Sequence, residues 1–509
     1  MVANVHSAVL RGVDALPVRV EVDVRPGLPA LVVVGLPDAA IREARERVTA
    51  AIRHLGARLE ARSVVVNLSP AEERKEGSTL DLAIATGVLA GSGALPAGDV
   101  DAVWMLGELS LDGTLRPVRG VLSIVEAATN LGAPVVLPRE NLTEAAVVRG
   151  ARLLPANSLA EVVAHLRGET RIAETIGGNG PPRWLGTSGC PDLCEVAGQE
   201  QAKRALEISA AGGHHLLFLG PPGSGKTMLA RRLPGILPDL EEAEAIETTK
   251  VYSVAPGVPR PEGLILARPF RAPHHTISSA GLVGGGTVPR PGEISLAHNG
   301  VLFLDEVTEF RRDVLEVLRQ PMESARVVIS RAAGTLTFPA RFQLIAAANP
   351  CPCGHLGDPR HECRCTPLEV RRYRSRLSGP LLDRIDLQLE VPPVPFRELT
   401  RGKPGERSEQ VRERVVRARQ RQEARLAGTG RRVNAELTEG EVRRFCAPDS
   451  EGDRLLELAV SKLAFSPRAV HRVLKVARTI ADLEGSPCIV ARHVAEAIAY
   501  RSLDRGIAV

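Results

Sequence analysis

The N-terminal third of the chain alternates between short apolar runs and one amphipathic stretch. Residues 18–24 place valine at every second position between charged residues, which is the pattern of a strand with one wet face. Residues 31–37 and 64–70 are apolar runs that end in turn signals, so we expect two further strands there. Between them, residues 39–55 carry apolar side chains at helical spacing with charges on one face. The pattern predicts a mixed α+β domain over residues 1–170.

In the middle of the chain, an apolar run over residues 216–219 leads into a glycine-rich segment. That segment consists of Gly220, Pro221, Pro222, Gly223, Ser224, Gly225, Lys226 and Thr227, and it fits G-x-x-x-x-G-K-[ST] at every fixed position. A helical pattern follows, so strand, loop and helix occur in the order that a phosphate-binding P-loop requires. We expect backbone N–H groups to surround phosphate oxygens, Lys226 to reach the β- and γ-phosphates, and Thr227 to bind Mg²⁺.

Two further apolar runs end in polar side chains. Residues 301–304 end in Asp305, which is placed to hold Mg²⁺ through water, and Glu306, which is placed to act as general base on the attacking water. Residues 343–348 end at Asn349, whose amide can orient that water near the γ-phosphate. An asparagine at such a position is by itself more often a turn residue. We interpret these strand ends and the P-loop as one hydrolytic site.

The rest of the chain supplies boundaries. Residues 177–182 combine glycine, asparagine and proline, and form the strongest linker signal. Residues 407–428 form a long charged helical pattern, whose default interpretation is a solvated face. Residues 437–509 predict further helices. We therefore expect a linker over 171–195, an ATPase core over 196–395 and a helical domain over 396–509.

Four of the eight cysteines lie close together in the sequence. They form two C-x-C pairs, Cys351 with Cys353 and Cys363 with Cys365, separated by nine residues that include two histidines. Four thiolates on a short loop have the ligand count of a tetrahedral Zn²⁺ site, although C-x₂-C is the commoner spacing. The pattern predicts a structural zinc knuckle between Asn349 and the segment near residue 384. Reduced cytosolic thiols and a redox pair are the alternatives.

Composition restricts the expected cellular compartment and the expected kinds of binding partner. The 509 residues carry a formal net charge of +5 with a pI near 8.9, which is compatible with nucleic acid but not diagnostic of it. Aromatic residues make up only 3%, so a platform that stacks single-stranded bases is not expected. No apolar run approaches 18 residues, and no basic-then-apolar segment opens the chain. We expect a cytoplasmic protein without membrane contact, in which arginines and loop backbone make any contact with DNA.

The P-loop, the acidic strand and several other segments resemble the AAA+ ATPases of the magnesium-chelatase and MCM branch, and more closely the bacterial YifB/ComM family. These other segments are residues 200–207, 268–275, 284–286, 291–298 and 378–384. The resemblance covers nearly the whole chain. It implies an α/β fold, with a P-loop AAA+ core and a helical C-terminal lid, and it implies ATP and Mg²⁺ as cofactors.

The resemblance also implies roles for three side chains outside the P-loop. Asn349 would be sensor 1, Arg384 the finger that reaches a neighbour's γ-phosphate, and Arg468 the sensor on the lid. Without the resemblance, an arginine in this arginine-rich chain would be a solvated or ion-paired surface group. A finger supplied by a neighbour requires a ring, so a homo-hexamer is implied.

Two loops of the family would touch the substrate. The resemblance places an inserted loop near residues 274–291 and a hairpin near residues 327–338. In relatives that move on DNA such loops line the pore, so Arg331 and Arg326 would contact phosphates without distinguishing sequence. The alternative is that these arginines support the subunit interface.

The N-terminal third resembles the Lon-protease-like domain, of the ribosomal S5-like type, that precedes the ATPase in this family. Aligning residues 76–81 on the protease's nucleophile loop puts Thr79 where serine should be. Aligning residues 116–122 on the second motif puts Leu122 where lysine should be. Because a leucine cannot act as a base, we expect an inactive relative that binds or assembles.

Two functions from different classes follow. The first is an ATP-driven ring motor on single-stranded or branched DNA, because ComM-like relatives act as branch-migrating helicases in recombination and natural transformation. The second is a remodelling ATPase like the chelatase subunit, which acts on a protein partner. An ATP-dependent protease is disfavoured by Leu122.

Overall fold

The computed structural model describes residues 2–57, 62–178, 190–286, 289–331, 334–359, 361–396, 398, 405–463 and 465–501, with the backbone alone for residues 331 and 334. The predicted mixed α/β class with a parallel sheet is confirmed. No helix within these ranges is both long and apolar enough to cross a bilayer.

The N-terminal region is built on an eight-stranded mixed sheet of order β10-β9-β8-β5-β1-β2-β4-β3, beside which β6 and β7 form a short hairpin. Its strands are β1 (Val2–Arg11), β2 (Asp14–Pro26), β3 (Ala30–Val34), β4 (Arg62–Ser69), β5 (Trp104–Met105), β6 (Glu108–Leu109), β7 (Leu115–Arg116), β8 (Val135–Pro138), β9 (Arg152–Ala156) and β10 (Thr175–Ile176). Its helices are α1 (Ala39–His54), α2 (Asp81–Gly91), α3 (Ala97–Asp101), α4 (Val121–Asn130), α5 (Leu142–Ala145) and α6 (Leu159–Leu166).

The alternation expected over residues 18–24 lies inside β2, and its four valines are buried. They face helix α2, whose residues are all buried. A β-carbon on Gly87 would lie only 2.6 Å from Cγ2 of Val22, so glycine at this position lets α2 lie directly on the sheet. The amphipathic pattern over residues 39–55 becomes α1, with Ile41, Ala44, Val48, Ala51 and Ile52 buried.

The middle region contains a five-stranded parallel sheet of order β12-β15-β18-β11-β19 and two separate hairpins, β13-β14 and β16-β17. Its strands are β11 (Leu216–Leu219), β12 (Phe270–Arg271), β13 (Gly284–Gly285), β14 (Arg290–Pro291), β15 (Gly300–Leu304), β16 (Arg326–Arg331), β17 (Gly334–Pro339), β18 (Phe342–Ala348) and β19 (Leu387–Glu390). Its helices are α7 (Glu200–Gly212), α8 (Lys226–Ala230), α9 (Leu233–Ile236), α10 (Glu242–Val254), α11 (Ser279–Val283), α12 (Glu293–Leu296), α13 (Arg312–Glu316), α14 (Arg319–Ser324), α15 (Pro367–Arg374) and α16 (Gly379–Leu382).

This sheet brings three strand ends together. Strand β18 lies between β11 and β15, with Leu219 opposite Ala348 and Leu304 opposite Ala346. Because all of these strands are parallel, their carboxyl ends meet at one edge of the sheet. The segments after β11, β15 and β18 carry the predicted site, and they therefore begin close together in space.

The C-terminal region is helical, with α17 (Ser408–Leu426), α18 (Glu439–Phe445), α19 (Ser450–Leu463), α20 (Pro467–Glu484) and α21 (Ala491–Ala499). The solvated face expected for residues 407–428 is only part of α17. Val411, Val415 and Ala418 of this helix lie in one hydrophobic core with Phe218 of β11 and Val473 of α20. Leu217 and Leu219 of the same strand face a second core on the other side of the sheet. The C-terminal helices therefore cover one face of the P-loop sheet.

The predicted insertions are also located. The loop expected near residues 274–291 contains α11 and the β13-β14 hairpin, with residues 287–288 outside the described part. The hairpin expected near residues 327–338 is β16-β17, in which Arg326 is exposed; the side chain of Arg331 lies outside the described residues. Of the predicted linker signal over residues 177–182, Gly177 and Gly178 are described and the remainder is not.

Candidate nucleotide-binding site

The P-loop follows the buried strand β11 and ends in the first turn of α8. Gly223 and Gly225 have φ of 75° and 93°, a left-handed conformation that favours glycine. A β-carbon on Gly220 would lie 2.2 Å from the carbonyl oxygen of Val391, so the loop can turn here only without a side chain. The glycines are thus required by the backbone path that aims N–H groups at one point.

Lys226 lies under this loop and is largely buried. Its Nζ donates to the carbonyl oxygens of Gly220 and Pro221, at 2.6 and 2.9 Å, and is 3.4 Å from Oδ1 of Asn349. Burial lowers the pKa of Lys226 to about 8. An anion beside this ammonium would offset that desolvation and favour the charged form.

The loop fits a polyphosphate. No atom of the described residues lies within 4 Å of the place where a β-carbon of Gly223 would be, so the loop faces open space among them. Within the described residues, the buried hydroxyl of Ser224 has no hydrogen-bond partner, and a phosphate oxygen would supply one. Thr227 Oγ1 donates to Asp305 Oδ2 at 2.7 Å, which gathers two hard oxygen ligands of the type that Mg²⁺ prefers.

Glu306 lies in a strained position at the end of β15. Its φ of 48° is in the left-handed region, which is uncommon for a residue with a side chain and recurs at functional sites. Its backbone N–H donates to Asp305 Oδ1 at 3.0 Å. The carboxylate is exposed, as a group that meets a ligand must be.

His275 approaches this glutamate, and sequence reasoning assigned it no role. His275 Nδ1 lies 3.8 Å from Glu306 Oε2, and the ring packs edge-on against Phe310 at 6.4 Å between centroids. The sequence signal for His275 is the segment over residues 268–275, which contributes to the family resemblance. The inserted loop thus begins beside the expected general base.

Arg384 is not brought to the P-loop of its own chain. The backbone N–H groups of Asp386 and Leu387 donate to the carbonyl oxygen of His215, which places this segment at the amino end of β11. The P-loop starts at the other end of that four-residue strand, about 13 Å away at roughly 3.3 Å per residue. Arg384 instead pairs with Glu323 and donates to the carbonyl of Pro380 at 2.6 Å.

Arg384 lines a cavity of about 700 Å³ at this end of the sheet. Its lining mixes basic side chains, among them Arg268, Arg326, Arg341, Arg472 and Lys475, with nearly as many acidic ones, among them Glu244, Glu247 and Asp386. Burial alone would raise the pKa of Asp386, but Arg472 and His214 outweigh it and hold that pKa well below its ordinary value. The aspartate is therefore an anion that holds Arg472 at 2.7 Å, next to Arg384.

Arg468 lies in the first turn of α20, whose N-cap is Ser466. Its side chain is exposed, and within the described residues its guanidinium makes no hydrogen bond or ion pair. Of the predicted site residues outside the P-loop, Asp305, Glu306 and Asn349 thus gather around Lys226 and Thr227. Arg384 lies at the opposite end of β11, and Arg468 makes no contact with this group within the described residues.

The four cysteines expected to bind zinc converge as free thiols. Cys351 Sγ is 3.4 Å from Cys353 Sγ and 3.6 Å from Cys363 Sγ, and Cys353 and Cys363 are also 3.6 Å apart. All four sulfur atoms, that of Cys365 included, lie within 4.8 Å of one another. The loop that carries them lies between Asn349 and α15.

The two positions aligned on the protease dyad are buried. Thr79 is 8% exposed and Leu122 is fully buried in α4. The backbone N–H of Leu122 donates to the carboxylate of Glu144, which in turn accepts from the hydroxyl of Ser253 in α10. Gly120 N–H also donates to Ser253 Oγ, at 2.9 Å. The aligned second motif therefore contacts helix α10 of the middle region instead of forming an open site.

Comparison with known proteins supports the resemblance at the level of family. The family described as "Subunit ChlI of Mg-chelatase" matches residues 20–141. The families "Magnesium chelatase, subunit ChlI" and "Magnesium chelatase, subunit ChlI C-terminal" match residues 192–399 and 405–501. These three matches cover each of the three structural regions.

Relatives match over the full length. The protein YifB of Escherichia coli, described as uncharacterized, is 45% identical over 502 residues, which is 98% of this chain and 97% of its own. Competence protein ComM of Haemophilus influenzae is 45% identical over 506 residues, or 99% and 98% of the two chains. The magnesium-chelatase 38 kDa subunit of Cereibacter sphaeroides is 28% identical over 174 residues, 30% of this chain and 51% of its own.

Proposed function

This chain belongs to the YifB/ComM family of magnesium-chelatase-like proteins, and from that membership we propose that it is an ATP-hydrolysing AAA+ motor that works as a homo-hexameric ring on DNA. Its domains would be an inactive Lon-protease-like domain over 1–170, a linker over 171–195, the ATPase core over 196–395 and a helical lid over 396–509. The substrate would be single-stranded or branched DNA, as for a ComM-like branch-migration factor.

One observation carries the ATPase part of the proposal. Lys226, Thr227, Asp305 and Asn349 come from the ends of three neighbouring parallel strands, and hydrogen-bond distances link them around one loop. When bound, Mg²⁺ would neutralise charge on the β- and γ-phosphates, held by Thr227 and through water by Asp305. Lys226 would bind the same phosphates. Glu306 would take the proton of the attacking water while Asn349 orients it.

The position of Arg384 supports a ring. This arginine lies at the end of β11 opposite to the P-loop and lines a cavity there, so a γ-phosphate that it contacts would belong to another subunit. An arginine in that role stabilises the charge of the transferring phosphoryl group and is worth about 10³-fold or more in rate. The lid sensor Arg468 is exposed, as a residue that closes on nucleotide would be.

Mixed rings test this arrangement. Assembled alone, Arg384→Ala subunits should lose about 10³-fold in turnover. Glu306→Gln subunits assembled alone should lose about 10²- to 10⁴-fold. Mixing the two should restore part of the rate, because some interfaces then pair an intact Glu306 with an intact Arg384. Arg372→Ala, an exposed arginine of α15, is the matched control and should turn over ATP normally. Full activity of Arg384→Ala on its own would refute the finger.

The proposal that the protein acts on DNA rests on loops that are basic and exposed. The β16-β17 hairpin exposes Arg326, and the chain carries a net charge of +5. Relatives of the same length include a protein named for competence. Contacts of this kind are to phosphates, so they weaken steeply as salt rises.

The deciding experiment is the ATPase rate with and without forked and single-stranded DNA, with Glu306→Gln as the blank. We expect strong stimulation that disappears at higher salt, and strand displacement or branch migration on labelled junctions. A flat response would favour the second candidate, an ATPase that remodels a protein partner. The partial match to a magnesium-chelatase subunit is the observation that favours this alternative.

A further inference from the structure

The cysteine loop over residues 350–366 has a geometry that the ATPase chemistry does not use. Sulfur atoms of a tetrahedral Zn²⁺ site, with Zn–S bonds of about 2.3 Å, lie about 3.8 Å apart. The three distances among Cys351, Cys353 and Cys363 are 3.4–3.6 Å. A disulfide would bring a pair to about 2.05 Å. The four thiols are therefore already grouped at the spacing of ligands around one ion.

Packing alone does not account for this grouping. Only Cys351 is buried, whereas Cys353, Cys363 and Cys365 are half-buried, so the cluster adds little to a hydrophobic core. In its described part the loop contains no helix or strand. A loop of this length without its own secondary structure needs another source of order. A metal ion is the usual one where the core cannot supply it.

Both ends of the loop are held to the ATPase region. Arg374 Nε donates to the carbonyl oxygen of Pro350 at 3.1 Å, directly after Asn349. At the other end, Thr366 caps helix α15 in a capping box with Glu369. Inside the loop, the N–H of Leu356 donates to Cys351 Sγ at 3.4 Å, a contact of the kind that supports a thiolate ligand.

The loop also touches the P-loop. A β-carbon on Gly354, between the two cysteine pairs, would lie 2.8 Å from Cδ and 2.9 Å from Cγ of Pro222. Gly354 is therefore packed directly against the second proline of the phosphate-binding segment. Asn349 precedes Cys351 by two residues, so the cysteine loop also follows the site directly along the chain.

We propose that Cys351, Cys353, Cys363 and Cys365 bind one Zn²⁺ per chain, and that the resulting knuckle braces the P-loop through the contact of Gly354 with Pro222. Four soft thiolates in a tetrahedral set select Zn²⁺ over hard cations. An iron–sulfur cluster divides its four cysteines among two or four irons, so at least some of the sulfur atoms would have to lie further apart. The proposed bracing of the P-loop extends the proposed function and rests on it. The proposed zinc site is independent of that function.

Metal content tests the site first. Elemental analysis of the full-length protein should give one zinc per chain, and Co²⁺ exchanged into it should show the visible bands of a tetrahedral thiolate complex. The Cys363→Ser/Cys365→Ser double variant should lose the zinc, while the matched Cys190→Ser/Cys488→Ser variant should keep it. The His355→Ala/His361→Ala pair, which removes the neighbouring histidines of the loop, should keep it too.

Several results would overturn the site. They are a wild-type protein that is free of zinc and melts at the same temperature with and without added zinc, an iron-containing coloured protein, and zinc that leaves with the histidine pair while the thiol variant retains it. A disulfide within the cluster, found by mass spectrometry under reducing purification, would favour the redox alternative and also overturn it.

Two glycines of the loop test the brace. Gly354 and Gly357 have φ of 81° and 80°, so alanine costs the same backbone strain at both. In the part of the loop that the structure describes, however, no atom lies within 4 Å of the β-carbon position of Gly357. Gly354→Ala should retain zinc and weaken binding of a fluorescent ATP analogue about tenfold, or about 1.4 kcal/mol, while Gly357→Ala binds like the wild type.

The outcomes separate the two proposals. If Gly354→Ala and zinc-stripped protein bind the analogue as tightly as the wild type, the brace is wrong and the zinc site stands. If the wild type itself binds no nucleotide, the proposed function fails, and the zinc measurement is unaffected.

Discussion

The two large sheets of this protein use their polar side chains in opposite ways. At the five-stranded sheet, Lys226, Asp305 and Asn349 converge beside a loop that faces open space. At the eight-stranded region, Leu122 is buried, and the carboxylate beside it, Glu144, faces helix α10. Polar groups of the kind that would form a binding site at the five-stranded sheet instead hold the N-terminal and middle regions together at Glu144. We expect catalysis where polar groups face an open site, and a structural contact where they face another part of the protein.

The largest effect should come from the carboxylate that faces the open space. Glu306→Gln removes the expected general base, so hydrolysis should fall by about 10²- to 10⁴-fold while ATP still binds. Single-turnover rates and filter binding of ATP measure the two steps separately. Glu309→Gln, three residues on and paired with Arg376, is the control and should hydrolyse ATP normally. Loss of binding together with hydrolysis in Glu306→Gln would assign the residue to structure instead.

Two buried lysines, one in each region, sharpen the comparison. Burial lowers the pKa of both Lys226 and Lys75, but Lys226 lies under the P-loop and Lys75 donates to the carbonyl of Pro70. Lys226→Ala should reduce turnover by about 10²- to 10³-fold, as the loss of one donor to transition-state charge does. Lys75→Ala should change the melting temperature but leave turnover per folded molecule unchanged. Equal losses of turnover in both variants would contradict the view that Lys226 serves catalysis and Lys75 only stability.

A smaller effect concerns the contact between the regions. Burial raises the pKa of Glu144 above its ordinary value of 4.5, so the folded protein keeps a proton that the unfolded chain releases. The stability that this group contributes is complete below pH 4.5 and declines as the pH rises through the folded pKa. Glu144→Gln, which is always neutral, should flatten that decline. Its advantage in urea midpoint over the wild type should grow with pH.

The control for this experiment is Glu140→Gln, an exposed carboxyl one turn away. It should shift the urea midpoint equally at every pH. A Glu144→Gln variant that parallels the wild type from pH 5 to pH 8 would show that the buried carboxyl does not titrate in that range and that the contact is held by other groups.

The smallest expected effect is none at all. Thr79→Ala should leave ATP turnover, DNA stimulation and melting temperature as they are, because the residue holds no catalytic partner in our interpretation. Ser78→Ala, which removes a hydroxyl that bonds Glu108, covers the neighbouring serine. Peptidase activity in the wild type that either substitution abolishes would make the N-terminal region an enzyme and reverse the comparison.

The sequence predicted best what is local in the chain. The P-loop is eight consecutive residues whose glycine conformations follow from the motif, and the helix expected over 39–55 is α1. Asp305 and Asn349 could be placed because apolar runs predict parallel strands, and parallel strands end at one edge. Each of these inferences needs only a short window or one general rule of sheet topology.

What the sequence did not predict depends on distant pairs. Glu144 and Ser253 are 109 residues apart, and neither motif nor periodicity joins them. The approach of His275 to Glu306 depends on where an inserted loop folds back. The charged pattern of α17 suggested solvent on its face, yet Val411, Val415 and Ala418 are buried, because few apolar residues suffice to line one side of a long helix.

The hydrophobic core that contains both Phe218 and Val473 also limits how the gene can be recombined. A chimera that joins this five-stranded sheet to the C-terminal helices of a distant homologue would meet side chains of unmatched volume along the whole contact. A single large-to-small mismatch costs about 2–5 kcal/mol, out of a total stability of about 5–15 kcal/mol. Two or three such mismatches would together cost about 4–15 kcal/mol, which is comparable with that total, so the stretch from Leu193 to Tyr500 should be inherited as one exchangeable block.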